Sequence, residues 1–198
     1  MGLSVMGDHP AALTGEVWPR LKPIMQRVAI MGCSGGGKST VARALGRKLG
    51  LPVVHLDALY WLPGWVERDK SDFRTLQTQA LAGERWVVDG GYASTLDLRL
   101  PRADTIIVID QPMLLCLWRV TWRWLTHLGR TRADMGEACP EKVDWEFVRF
   151  IWDYPKATWP KQAEGIAAMG GHARLIRLTS DRQIAEFLAD IPAGSGAI

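Results

Sequence analysis

The chain has 198 residues, 47% of them hydrophobic and 23% charged, with a formal net charge of +3; this suits one globular domain and excludes a disordered chain. So small a charge does not by itself argue for nucleic-acid binding, and no apolar run approaches the roughly 20 residues that span a bilayer. Three scattered cysteines, Cys33, Cys116 and Cys139, fit neither a disulfide framework nor a metal-ligand spacing, so a reducing, cytoplasmic setting is expected.

Residues 1–23 carry three prolines and three glycines with little periodicity. Residues 1–24 therefore read as a loose extension without the basic start and apolar core of a secretion signal. Met25, just ahead of the first strand, is a candidate natural start. From residue 26 onward strand and helix alternate, the pattern of a parallel sheet flanked by helices. The run 27–31 (RVAIM) reads as a buried strand ending in glycines. A helix follows over 38–49 and stops at Gly50. A second strand spans 52–56 and ends at Asp57, and a helix over 71–82 turns Phe73, Leu76, Ala80 and Leu81 inward. Strands at 86–88 and 105–109 end at Asp89 and Asp110. A long helix over 112–128 opens with a proline and closes at Gly129. Helical pattern returns over 143–163, interrupted at Pro155 and Pro160. A fifth strand at 174–178 leads into a last helix, opened by a capping box of Ser180 and Gln183, with Ile184, Phe187 and Leu188 inward. The tail 192–198 is low in complexity, which leaves one domain over 25–191.

The first strand-to-helix junction carries the chemistry. Gly32-Cys-Ser-Gly-Gly-Gly-Lys38-Ser39 matches G-x-x-x-x-G-K-[ST] between an apolar strand and an amphipathic helix. Glycines at these positions let backbone N–H groups turn toward one anion, and the following helix adds its positive end. Gly32, Ser34, Gly35, Gly36, Gly37, Lys38, Ser39 and Thr40 are thus expected to hold the phosphates of ATP. Lys38 would reach the β and γ phosphates, and the Ser39 hydroxyl would ligate Mg²⁺. Cys33 reads as a small residue of the loop.

Within this class the chain contains no asparagine, which excludes the Asn-Lys-x-Asp guanine reader of Ras-type GTPases. The Leu-Ser-Gly-Gly-Gln signature of transporter ATPases is absent as well. What remains is the layout of a small kinase with aspartates at strand ends, where ligands of open parallel sheets bind. Phosphoryl transfer to a hydroxyl needs one carboxylate near the acceptor and another near the metal. Asp57 and Asp89 are the candidates, whereas Asp110, two residues before Pro112, reads as a helix cap or turn residue.

The stretches HLDALYWLPGW (55–65), RWVVDGGY (85–92), TLDLRLPRADTII (95–107) and GRTRADMGEACPEKVD (129–144) resemble adenylate-kinase-like P-loop proteins of the topology modulation family. The similarity runs over about 26–188. It implies a three-layer α/β/α sandwich around a five-stranded parallel sheet, like nucleoside monophosphate kinases, with a helical lid over about 114–160. It also implies that Asp57 is the acceptor-site acid, that Asp89 orients waters of the Mg²⁺, and that Arg119 and Arg123 open the lid and contact the nucleotide and its phosphates. Nucleoside monophosphate kinases usually carry Asp-Gly-(Phe/Tyr)-Pro-Arg, but here Asp89-Gly90-Gly91-Tyr92 runs into Ala93, so a nucleotide acceptor does not follow.

Six of the ten tryptophans fall between Trp118 and Trp159, and no acidic residue lies between Gln111 and Ala133. Arg119 and Arg123 share one helical face and Trp118 and Trp122 an adjacent one, so one side can pack while the other meets phosphoryl charge. Arg130 and Arg132 extend the basic run. Tyr60, Trp61 and Trp65 follow Asp57 and read equally as an acceptor wall or a cap on the sheet edge. Arg99 is the candidate grip for an acidic acceptor, Arg102 reads as a surface turn residue, and His55 as a core residue. The expectation is a cytoplasmic ATP- and Mg²⁺-dependent kinase of a small, unidentified acceptor. The alternative is a regulatory ATPase acting on DNA topology or on a protein partner, nucleic acid being possible but not favoured.

Overall fold

Five apolar segments form one parallel sheet in the computed structural model, which describes residues 25–126, 138–139 and 144–192. The extension 1–24, Gly129, Arg130, Arg132 and residues 193–198 of the tail lie outside the described residues. In chain order the elements are β1 (Arg27–Gly32), α1 (Lys38–Leu49), β2 (Val53–His55), α2 (Leu56–Tyr60), β3 (Trp61–Leu62), β4 (Val66–Glu67), α3 (Lys70–Ala80) and β5 (Trp86–Asp89). A 3₁₀ stretch (Ala93–Leu98) follows, then β6 (Thr105–Ile109), α4 (Met113–Thr126), α5 (Trp145–Ala157), α6 (Trp159–Met169), β7 (Arg174–Leu178) and α7 (Asp181–Asp190). The sheet order is β2-β5-β1-β6-β7, with every neighbouring pair parallel. This puts β1, and the loop that follows it, in the centre.

Side chains alternate along each strand, so both faces of the sheet must be covered. Val28 and Ile30 of β1, Val87 of β5, and Ile107 and Ile109 of β6 pack on one face under Val41, Ala42 and Leu45 of α1 and Phe187 of α7. Ala29, Met31, Val88, Ile106 and Val108 pack on the other, under Phe73 of α3, Cys116 and Val120 of α4, Ile151 and Tyr154 of α5, and Ile166 of α6. The result is the three-layer α/β/α sandwich that the sequence implies. The described parts of 114–160 include two helices, α4 and α5, that contribute to this core.

Several local expectations are corrected. Asp57 follows the strand by two residues and lies in the first turn of α2, a short helix without an apolar period of its own. On α3 the inward face is Phe73 and Gln77, one helical turn apart, while Ala80 is exposed. The interruption in the 143–163 pattern falls at Thr158, not at Pro155: α5 runs through Pro155, and Pro160 sits in the first turn of α6, where a missing N–H costs nothing. Gln183 reaches past the cap: Ser180 Oγ accepts from the Gln183 amide, but Gln183 Oε1 accepts from the Thr179 N–H. Among the described residues no helix is long and apolar enough to cross a membrane.

Gly46 shows how tightly α1 meets the sheet edge. A Cβ there would stand 2.3 Å from Val53 Cγ2 and 3.1 Å from the Leu51 carbonyl oxygen. Val53 is β-branched and stiff, so it cannot swing aside. Gly46→Ala is expected to lower stability by about 1–3 kcal/mol, although alanine is the better helix former. Urea denaturation checks this; an unchanged or higher midpoint would show that α1 can retreat from β2.

Candidate functional site

β1 delivers the chain to the rim of the sheet, where it turns through Gly32, Gly35 and Gly37, all at positive φ, into α1. Only the lack of Cβ lets Gly35 sit there: a Cβ would lie 2.4 Å from the Cys116 carbonyl oxygen of α4. Gly37 is the N-cap residue and offers no side-chain cap, so the first amides of α1 are left for an anion. Lys38 folds over its own loop, its Nζ donating to the Cys33 carbonyl at 2.9 Å, and the Gly36 amide donates to the same oxygen. Ser34 is half-buried and Thr40 exposed at the outer edge. Cys33 and Cys116 are hydrogen-bonded to each other, which together with burial pushes the Cys33 thiol up, so it stays neutral.

Beneath the loop lies Asp89, at the C-terminal end of β5 and 4% exposed. Parallel register aligns it with Ile30 on one side and His55 on the other. Its Oδ2 accepts from Ser39 Oγ at 2.6 Å and its Oδ1 lies 2.5 Å from His55 Nδ1. A hydroxyl and a carboxylate side by side are hard oxygen donors of the kind Mg²⁺ takes beside a nucleotide, and the donor set fits that ion. Among the described residues no group of three His, Cys, Asp or Glu side chains could hold a metal alone. Phosphate oxygens would have to complete the shell.

Asp57 lies at the same rim, one strand further out. Its Oδ1 accepts from the Tyr92 hydroxyl at 2.7 Å. Burial, and then the Asp57 charge, push the Tyr92 phenol up, so it remains a donor. Tyr60 packs against Tyr92, Phe73 and Trp61, with ring centroids 4.8–5.0 Å apart, and Trp61 meets Trp65 edge-on. Trp65 sits at φ 64°, a left-handed conformation uncommon for a side chain of this size. Asp57, Tyr60, Trp61 and Trp65 therefore line one half-buried corner.

Arg99 does not reach that corner. It is 1% exposed, and its two Nη atoms donate to the Thr95, Gly90 and Tyr92 carbonyls, to Thr95 Oγ1 and to Gln77 Oε1. Burial holds its pKa down to about 10, still charged at neutral pH. It grips the loop after β5, and Gln162 of α6 donates to the Gly91 carbonyl between its two loop contacts. Arg102 likewise donates to the Leu81 and Gly83 carbonyls.

Arg119 leaves α4 toward α7 and pairs with Asp181, while Arg123 is half-buried one turn on. Trp118 and Trp122 do not pack into the core: they stack on each other at 60% and 55% exposure, because the buried stripe of α4 is Cys116 and Val120. Asp110 is not a cap. It turns back to accept from Arg177 of β7 and is fully buried. Sequence reasoning missed Tyr92, Gln77 and Gln162. Only Tyr92 had a signal, as the ring that ends the Asp-Gly-Gly-Tyr run.

No protein-family model matches the chain, and no curated protein is similar to it in sequence. Solved structures do share its fold. Shikimate kinase from Acinetobacter baumannii in complex with shikimate superposes with a TM-score of 0.57 at 20% identity, over 85% of this chain and 91% of that one. A gluconokinase from Sinorhizobium meliloti 1021 gives 0.50 at 18% identity, over 87% and 93%. The fold is therefore that of P-loop kinases.

Because Arg99 ties two carbonyls of the loop after β5, those of Gly90 and Tyr92, and that of Thr95 in the 3₁₀ stretch, Arg99→Met leaves all three without that donor. The expected loss is about 2–4 kcal/mol of stability, read by urea denaturation. An unchanged midpoint would show that water or repacking satisfies those carbonyls.

Proposed function

We propose that the protein is an ATP- and Mg²⁺-dependent kinase that phosphorylates a hydroxyl group of a small acceptor. The observation that carries this reading is the placement of two carboxylates at one rim. Asp89 is bonded to the Ser39 hydroxyl of the phosphate loop, and Asp57 lies one strand away in an aromatic corner. Likeness of fold to a shikimate kinase in complex with shikimate and to a gluconokinase supports a small acceptor. The motif resemblance to topology modulation proteins points to the same superfamily.

Bound Mg·ATP would supply the phosphoryl group and the charge that activates it. The chain's own residues do the rest. The glycine-loop amides and Lys38 would hold the phosphates, and Ser39 and Asp89 would hold the cation. Asp57, fixed by the neutral Tyr92 phenol, orients the acceptor hydroxyl and accepts its hydrogen bond. Tyr60, Trp61 and Trp65 bury the acceptor's apolar face. Arg119 and Arg123 stand on the helix that touches Gly35 and would offset charge on the transferring group. Catalysis on this plan is mostly positioning, as phosphoryl transfer requires. Among these residues Arg99 has a supporting place, holding the loop that carries Tyr92.

The test is ADP release from Mg·ATP by purified protein, alone and with nucleoside monophosphates, nucleosides, shikimate, gluconate or dephospho-coenzyme A. One acceptor should stimulate the rate, and Lys38→Ala should abolish it. Asp57→Asn should leave ATP binding intact and lower transfer by roughly 10²-fold or more. Equal loss of both would make Asp57 structural. A slow rate that no acceptor raises, joined to salt-sensitive DNA binding, would favour the regulatory ATPase.

A further inference from the structure

His55 has no part in the mechanism above, and sequence alone places it in the core. Its side chain is 15% exposed, at the C-terminal end of β2 and in register with Asp89. An ionised carboxylate only accepts, so in the 2.5 Å contact with Asp89 Oδ1 the hydrogen sits on His55 Nδ1. The other carboxylate oxygen takes the Ser39 hydroxyl at 2.6 Å. Asp89 is thus held at both oxygens, by a rigid ring on one strand and by the phosphate loop on the other side.

We infer that His55 is a positioning residue of the magnesium site: its Nδ1–H fixes the rotation of the Asp89 carboxylate, and through it the direction of the Ser39 hydroxyl. Partners in the outer shell of a metal orient its ligands, and losing one typically costs 10–100-fold in metal affinity or activity. Two other duties fit less well. As a general base His55 would have to act through Nε2, since Nδ1 carries the hydrogen given to Asp89, and on the mechanism above Asp57, two residues later, already serves the acceptor. As a packing residue it would be replaceable by an apolar side chain, which would remove a donor from a carboxylate that is only 4% exposed.

The inference rests on the nucleotide reading above, and the experiment separates the two. The full chain is titrated with a fluorescent ATP analogue in MgCl₂ and again in EDTA, as wild type, Lys38→Ala, His55→Asn and His55→Gln. Asparagine can place an N–H near the position of Nδ1, whereas glutamine carries its amide out toward that of Nε2. Wild type should bind more tightly with Mg²⁺. His55→Gln should lose about tenfold of affinity in MgCl₂ and none in EDTA, and His55→Asn should recover most of that loss. Equal loss in both variants, equal loss in EDTA, or full Mg²⁺-dependent affinity in His55→Gln would overturn the assignment. So would failure of both variants to fold, since that makes the ring a packing element. If wild type and Lys38→Ala bind alike with no gain from Mg²⁺, the nucleotide reading itself falls.

Discussion

The carboxylate of Asp89 joins three parts of the molecule that are distant in sequence. Ser39 comes from the phosphate loop and α1, Asp89 from β5, and His55 from β2. They meet because parallel register puts Ile30, Asp89 and His55 at one level, at the rim where strands end and helices begin. A carboxylate buried to this degree is costly without donors. The two donors are therefore a condition for ending β5 at that point as well as a way of orienting chemistry. Inserting or deleting one residue in β2 would turn His55 to the opposite face and leave Asp89 Oδ1 without its partner.

The same economy governs the next few residues. After Asp89 the chain reverses through Gly90 and Gly91, exposing carbonyls that no strand can satisfy. Arg99 takes those of Gly90 and Tyr92, and Gln162 of α6 takes that of Gly91. A loop held at three consecutive carbonyls puts the Tyr92 hydroxyl on Asp57 with little freedom to wander. Gln77 is buried on α3 because it accepts from Arg99, which is why an apolar stripe written from spacing alone fails at that helix. The aromatic corner around Asp57 thus depends on a polar frame built behind it, through the loop that carries Tyr92.

Much of this was legible in the sequence, and the reasons for the gaps are physical. Apolar runs and glycine-lysine-serine spacing are local signals, so the five parallel strands, α1 and the phosphate loop follow from the residues themselves. That Asp89 stands at a strand end followed in the same way, whereas Asp57 was displaced into the first turn of α2, a helix too short to leave a period. The places of Arg99, Gln77 and Gln162 did not, because a buried hydrogen-bond network is a property of three-dimensional neighbours and leaves no period. The stripe on α4 was misplaced for a related reason. Tryptophans at i and i+4 satisfy a helical pattern whether they face the core or each other, and the smaller Cys116 and Val120 proved to be the ones that fit against Gly35. His55 was read as buried, which is nearly so; what spacing could not give was the carboxylate opposite it.

Exposure sorts the arginines of this molecule by what they can do. Arg99 is enclosed, and removing it from its carbonyls would leave several buried acceptors without a donor, so it is tied to the fold. Arg119 pairs with an Asp181 that is 63% exposed. An ion pair in such a setting is worth about 0–1 kcal/mol, because water screens it and two long side chains must be held still. Exchanging that partner for a phosphate oxygen therefore costs little, while a charge-assisted bond to phosphate in a water-poor cleft is considerably stronger. The helix that carries Arg119 already touches the phosphate loop through the Cys116 carbonyl and Gly35. A loop whose amides are left for an anion and a helix bearing a lightly held cation are thus mechanically adjacent. It is this adjacency, more than the count of basic residues between Gln111 and Ala133, that supports the place proposed for the arginines of α4.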